Sequence, residues 1–118
     1  MPSSLTSPKK RLVLRKEAAF QRAVEEKAQM LGWFPFHIAL PMRSPAGFPD
    51  LLLVKDRLEW FELKVFYENG RAGKVSGVQE RFHDMLRGAG QSVHVVYDDD
   101  EGWAVIMSVL SDERLTVA

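Results

Sequence analysis

Residues 47–64 contain two short apolar runs, Leu51-Leu52-Leu53-Val54 and Leu58-Glu59-Trp60-Phe61-Glu62-Leu63-Lys64, parted by Lys55-Asp56-Arg57. Runs of this length around a polar turn read as a β-hairpin. With Asp56 at the centre of the turn, Val54 faces Leu58, Leu52 faces Trp60 and Asp50 faces Glu62. Side chains alternate along a strand. Asp50, Leu52, Val54, Leu58, Trp60, Glu62 and Lys64 therefore share one face. Leu51, Leu53, Phe61 and Leu63 occupy the other, interrupted only by Glu59 near the turn. A slip of one residue would exchange the two faces, so the register decides what the hairpin buries.

This register places three charged side chains, Asp50, Glu62 and Lys64, on an element otherwise built for burial. Directly opposed residues have Cβ atoms about 4.5–5.5 Å apart. Two carboxylates at that separation repel unless a cation lies between them or one takes up a proton. A structural ion network is the alternative, but such networks stabilise poorly compared with apolar packing. Asp50 and Glu62 are hard oxygen donors suited to magnesium or manganese. Lys64, two residues on, is placed to orient a water or to offset charge in a transition state. Such a set can bind a divalent cation and act on a phosphodiester.

Around the hairpin, Phe20, Val24, Ala28 and Leu31 recur at helical spacing over residues 17–31, with Gly32 as C-cap. Residues 33–40 read as a strand, pushed toward an edge or bulge by Pro35. A Pro/Gly loop carrying Arg43 follows, and residues 66–75 form a Gly-rich charged loop. Ser76 and Gln79 are spaced as a capping box, opening a helix whose apolar stripe is Val78, Phe82, Met85 and Leu86 and which ends at Gly88 or Gly90. Residues 92–97 alternate as a strand. Asp98-Asp99-Asp100 form a turn and helix start, where negative charge is favourable. Trp103, Ile106, Met107 and Leu110 continue as a helix, with a strand left open by the β-branched residues. Trp60 is expected to pack under the first helix. His37, His83 and His94 have no metal-type spacing and read as satisfied structural histidines, with substrate contact the alternative for His37 on the strand entering the active-site loop. The order of helix, three strands, helix, strand, helix predicts an α/β sandwich around a mixed central sheet.

The chain has 118 residues, 46% of them hydrophobic and 27% charged, which suits one domain with one core. It has no cysteine, which excludes disulfides and cysteine-based zinc sites. No apolar run approaches the roughly 18 residues needed to span a membrane, so no membrane partner is expected. Formal net charge is zero, but residues 1–97 carry 15 Lys/Arg against 10 Asp/Glu and residues 98–118 carry one Arg against six acids. Lys9, Lys10, Arg11, Arg15 and Lys16 are the densest basic cluster. It is either a phosphate-contacting arm or a solubilising tail. Residues 1–16 are accordingly read as a flexible basic tail and residues 17–118 as the folded domain.

Pro49-Asp50, eleven intervening residues and Glu62-x-Lys64 resemble the PD-(D/E)XK nuclease signature. Glu17-x-x-x-Gln21, Gly47-x-Pro49-Asp50, Glu62-Leu63-Lys64 and Gly73-Lys74-Val75-Ser76-x-x-Gln79 together resemble its VRR-NUC branch, the virus-type replication-repair nucleases, from about Glu17 to about Leu110. The resemblance implies a restriction-endonuclease-like α/β fold and a magnesium- or manganese-dependent DNA endonuclease. It implies catalytic roles for Glu17, Asp50, Glu62, Lys64 and Gln79, with Asp50, Glu62 and the Leu63 backbone carbonyl on the metal. For Glu17, a dipole-favourable place in the first turn is the alternative. Lys9, Lys10, Arg11, Arg43, Arg71 and Lys74 are candidate DNA contacts. The segment 66–72 looks longer than the family's usual link. Stand-alone members are phage or prophage-type nucleases, some acting as dimers on four-way (Holliday) junctions. The resemblance thus implies branched DNA as substrate, a homodimer, and DNA repair or recombination in the cytoplasm of a bacterial host, at its nucleoid. The rival readings are a sequence-specific restriction-type nuclease and a non-catalytic nucleic-acid-binding or protein-interaction module that keeps the fold.

Overall fold

The computed structural model describes residues 8–37 and 47–111, with the side chains of Lys10 and Leu14 excepted. The elements run α1 (Pro8–Met30), β1 (Phe34–His37), β2 (Leu51–Val54), β3 (Leu58–Lys64), α2 (Gly77–Gly88), β4 (Ser92–Tyr97) and α3 (Asp100–Ser111). The four strands form one mixed sheet in the order β1-β2-β3-β4, the first two pairings antiparallel and β3–β4 parallel. A parallel neighbour needs a crossover connection, and α2 supplies it. Pro35 lies on the edge strand β1, where its missing N–H breaks no ladder. The expected α/β sandwich with a mixed central sheet is what the chain forms.

The hairpin has the expected register: Leu52 pairs with Trp60 and Val54 with Leu58. Its apolar face is the core. Leu51, Leu53, Phe61 and Leu63 are buried against Phe20, Val24 and Ala28 of α1 and Ile106 and Leu110 of α3. The i, i+4, i+8 spacing of the α1 residues lays one stripe of that helix along the sheet. Helix α1 ends as its sequence indicates. Gly32 has φ +88°, the Trp33 N–H donates to the Ala28 carbonyl at 2.9 Å and the Gly32 N–H to that of Gln29 at 3.1 Å, a Schellman closure. At the start of α3, Asp99 Oδ1 accepts the Gly102 N–H at 2.7 Å, as a helix N-cap does. Asp100–Ser111 is therefore a helix, not a strand.

Three expectations need correction. Helix α1 begins at Pro8, so residues 8–16 are helix rather than tail. Proline is pre-organised for the first helical position, lysine and arginine are good helix formers, and Val13 packs against the core. Trp60 packs under α2, not α1. Its ring lies 5.7 Å from Phe48, which lies 5.4 Å from Phe82 of α2, and its Nε1–H donates to Gln91 Oε1 at 2.9 Å. Alternation requires this, because Trp60 shares a face with Glu62 and Lys64 while α1 covers the opposite face. The inward stripe of α2 is also not the expected one. Val78 and Met85 are 46% and 62% exposed, and His83 is 2% exposed. The helix turns Gln79, Phe82, His83 and Leu86 toward the sheet, a set with i, i+3, i+4, i+7 spacing. The strand expected over residues 33–40 is seen as Phe34–His37; residues 38–40 and the Pro/Gly loop with Arg43 lie outside the described residues.

Candidate active site

Gly47 brings the first carboxylate into place. Its φ is +104°, and a β-carbon there would lie 2.8 Å from Val78 Cγ1, 2.9 Å from the Val78 carbonyl carbon and 3.0 Å from the Gln79 nitrogen. Only glycine allows the chain to pass this close to the N-terminus of α2. Pro49 is then buried and Asp50 stands at the head of β2. Strand pairing stops at Leu51↔Phe61. Beyond it the Asp50 side chain takes over, its Oδ2 accepting the Leu63 N–H at 2.9 Å. That bond fixes Asp50 beside Glu62, as the register predicts.

Glu62 is 1% exposed. Burial, then a hydrogen bond with Asp50 and the Asp50 charge, push its carboxyl from the ordinary 4.5 up to about 9, with Lys64 opposing and Glu17 adding to the rise. Burial and a second carboxylate both disfavour the charged form of Glu62, and either a proton or a cation relieves two carboxylates this close.

Gln79 ties the remaining groups together. Its Oε1 accepts Lys64 Nζ at 3.0 Å and the Ser76 N–H at 2.9 Å, while its Nε2 donates to Glu62 Oε2 at 3.2 Å. The Ser76 Oγ accepts the Gln79 N–H at 3.1 Å, completing the capping box. One glutamine thus caps α2 and bridges the lysine to the buried glutamate. Lys64 Nζ also lies 3.8 Å from Glu62 Oε2. Glu17, one turn ahead of Phe20 on α1, is exposed, yet its carboxyl is raised by partial burial and by the Asp50 charge and lowered by Lys64. It stands at the rim of the same charge cluster.

His83 is not singled out by the sequence. Its Nε2 is buried without a hydrogen-bond partner among the described residues, as is Glu62 Oε1, and the two atoms lie 3.5 Å apart. Burial, then Arg87 and Lys64, lower its affinity for a proton. It is not the satisfied structural histidine expected. Its place one turn after Gln79 is the available signal, since residues four apart share a helix face. His94 fits the bland expectation, its Nε2 lying 2.6 Å from Glu59 Oε1.

Of the candidate cations, Arg71 and Lys74 line an open cavity of about 750 Å³ with Tyr67, Ala72, Gly73 and Tyr97. Tyr97 pairs with Lys64 across β3 and β4, its hydroxyl donates to the Gly73 carbonyl at 2.8 Å, and a β-carbon on Gly73 would lie 3.6 Å from Lys64 Cδ. The cavity is therefore adjacent to Lys64. The loop that forms it folds on itself through a Phe66↔Ala72 bridge and a 2.8 Å bond from the Tyr67 N–H to the Arg71 carbonyl. Lys16 Nζ holds it to α1 by donating to the Phe66 carbonyl at 3.3 Å. Lys9 lines a neighbouring cavity of about 620 Å³ that also includes Tyr67. Arg11 is exposed on α1. Arg43 and the side chain of Lys10 lie outside the described residues.

Among the described residues no three His, Asp or Glu side chains form a ligand cluster. The donors present are the Asp50 and Glu62 carboxylates and the backbone of Leu63 between Glu62 and Lys64. Magnesium is commonly held by one or two carboxylates and keeps several waters, so a short protein donor set fits it. The orphaned Glu62 Oε1 and the rise that the Asp50 charge imposes on the Glu62 carboxyl fit it as well, since a cation between two carboxylates relieves their repulsion. A pH dependence follows for the metal-free protein. The folded state holds the Glu62 proton more tightly than the unfolded chain, so this contribution to stability is full below 4.5 and is lost as pH rises toward 9. The melting temperature in chelator should fall between about pH 5 and pH 9, and Glu62→Gln, which has no proton to lose, should flatten that decline. An equal decline in the variant would contradict the assignment.

A solved structure described as a VRR_NUC domain matches this chain with a TM-score of 0.63 and 28% sequence identity, over 77% of this chain and 94% of that one. No protein-family model and no curated protein matches.

Proposed function

We propose, for a chain that belongs to the VRR-NUC family, that it is a metal-dependent endonuclease hydrolysing phosphodiester bonds in DNA. The observation that carries this is the convergence of Asp50, Glu62, Lys64 and Gln79, linked by hydrogen bonds from Leu63 N–H to Asp50, Gln79 to Glu62 and Lys64 to Gln79. Asp50, Glu62 and the Leu63 carbonyl would hold magnesium or manganese, which when bound polarises the scissile phosphate and makes water a better nucleophile. Lys64, steadied by Gln79, sets its positive charge where negative charge builds on the phosphoryl oxygens. Water adds to phosphorus as the bond to the bridging oxygen breaks; the water gives up a proton to solvent and the leaving oxygen takes one from solvent, so the products are a phosphate monoester and a hydroxyl end, with no covalent enzyme intermediate. Glu17 acts from the rim on water or metal.

Arg71 and Lys74 form no ion pair with a carboxylate among the described residues, and they flank the cavity beside Lys64. Cations on phosphates position a duplex without reading its sequence. Recognition by shape follows, with branched DNA and four-way junctions the preferred substrates. A two-fold dimer would set two sites on two opposed strands. Binding should weaken with salt. In an Asp50→Asn background, Arg71→Ala with Lys74→Ala should flatten the slope of log affinity against log salt by about 0.9 for each duplex phosphate that the protein no longer neutralises. The same measurement on a junction and a linear duplex tests shape selection. An unchanged slope would remove both residues from the DNA surface, and equal affinities would remove the junction preference.

A further inference from the structure

We propose that His83 is a positioning residue for the metal site: its Nε2–H donates to Glu62 Oε1 and fixes the plane of that carboxylate against Asp50. This inference rests on the nuclease reading above and adds a residue that neither the motif nor the capping box supplies. The geometry carries it. Glu62 Oε2 is already held by Gln79 at 3.2 Å, so one further contact at Oε1 decides the rotation of the group. His83 Nε2 lies 3.5 Å from that oxygen. Both atoms are buried without another hydrogen-bond partner among the described residues. Buried polar groups are almost always paired, and a small rotation of either side chain brings 3.5 Å to ordinary hydrogen-bond length.

The placement is not forced by packing. The position is on the inward stripe of α2, where an aliphatic side chain would fill the space without leaving a polar atom unpaired. A histidine used only as filler would lower stability there. Gln79 and His83, four residues apart on one face, instead approach the two oxygens of one carboxylate from the same helix. Groups that orient a ligand in this way typically change metal affinity or activity by about 10–100-fold when removed.

The test uses the full chain with two substitutions. His83→Leu keeps an apolar volume and removes the donor; His83→Gln keeps an N–H near the position of Nε2. Manganese affinity is read without DNA by electron paramagnetic resonance, alongside melting temperature in chelator and cleavage rate across a manganese titration. The expected result is a roughly 10–100-fold loss of manganese affinity in His83→Leu, with cleavage recovered as manganese is raised. His83→Gln should restore affinity. Wild-type manganese affinity in His83→Leu would overturn the proposal. So would a melting temperature that falls in step with affinity in both variants, which is a structural role only. Loss of affinity in both variants at unchanged stability would also overturn it, in favour of direct ligation. If His83→Leu does not fold, His83→Gln decides: wild-type affinity supports the proposal and its loss rejects it. A wild-type protein that neither binds manganese nor cleaves DNA removes the nuclease reading and this inference together. A wild type that does both, beside an unaffected His83→Leu, removes this inference alone.

Discussion

Asp50→Asn is expected to abolish cleavage while the fold and DNA binding persist. The amide oxygen can still accept the Leu63 N–H that Asp50 Oδ2 accepts at 2.9 Å, so the end of the hairpin keeps its closure. What disappears is a negative charge that, with burial, makes Glu62 hold a proton to about 9. Without it the pair no longer favours a divalent cation. Metal ions supply several kcal/mol to charge-building transition states, so a loss of about 10³-fold or more is expected at any practical magnesium concentration. The melting temperature in chelator should be unchanged or higher, because Glu62 no longer has to take up its proton beside a charged carboxylate. Near wild-type cleavage by a folded Asp50→Asn protein in magnesium would show that Asp50 does not hold the metal.

Lys64→Ala is expected to lower the rate by about 10²–10³-fold even with metal and DNA saturating, since an electrostatic group acting in the transition state is worth about 2.7–4 kcal/mol. The lysine is held at 3.0 Å by Gln79 Oε1, and that oxygen keeps the Ser76 N–H when the lysine is gone. The α2 cap should therefore survive. If raising the metal concentration restored the rate, Lys64 would be tuning the carboxylates and not the transition state. The two variants separate along that axis: Asp50→Asn should weaken metal binding, and Lys64→Ala should leave it intact.

The parts legible in the sequence are those set by local rules. Alternation about Lys55-Asp56-Arg57 gives the hairpin register. Gly32 and the Ser76–Gln79 spacing give one helix end and one helix start. Asp50, Glu62 and Lys64 are recognisable because charged residues on a buried element need partners, Gln79 through its capping-box spacing and the family pattern, and the structure brings all four together. The misreadings concern how elements meet. Hydrophobicity draws the stripe of α2 through Val78 and Met85, whereas the helix turns its Gln79–His83 face inward to reach Glu62 and Lys64. A polar inward face looks like an outward one to a hydrophobicity pattern. Trp60 goes under the wrong helix for a related reason: alternation identifies its face but not which helix covers that face. The start of α1 escapes because the basic residues after Pro8 lack an apolar period, although lysine and arginine form helix readily. His83 stays hidden as a lone histidine among three, distinguishable only once Glu62 is seen to stand over it.

The most direct measurement is cleavage of a panel of junction, flap, duplex and single-stranded DNAs by the wild-type chain and by Asp50→Asn, each in magnesium and in chelator. The wild type should cleave in magnesium alone, most strongly on branched DNA, and Asp50→Asn should cleave under neither condition. Cleavage that persists in chelator, or that Asp50→Asn retains, would contradict a metal-dependent site at Asp50 and Glu62. A folded wild type that binds these DNAs and cuts none of them would instead identify a binding module that keeps the nuclease fold.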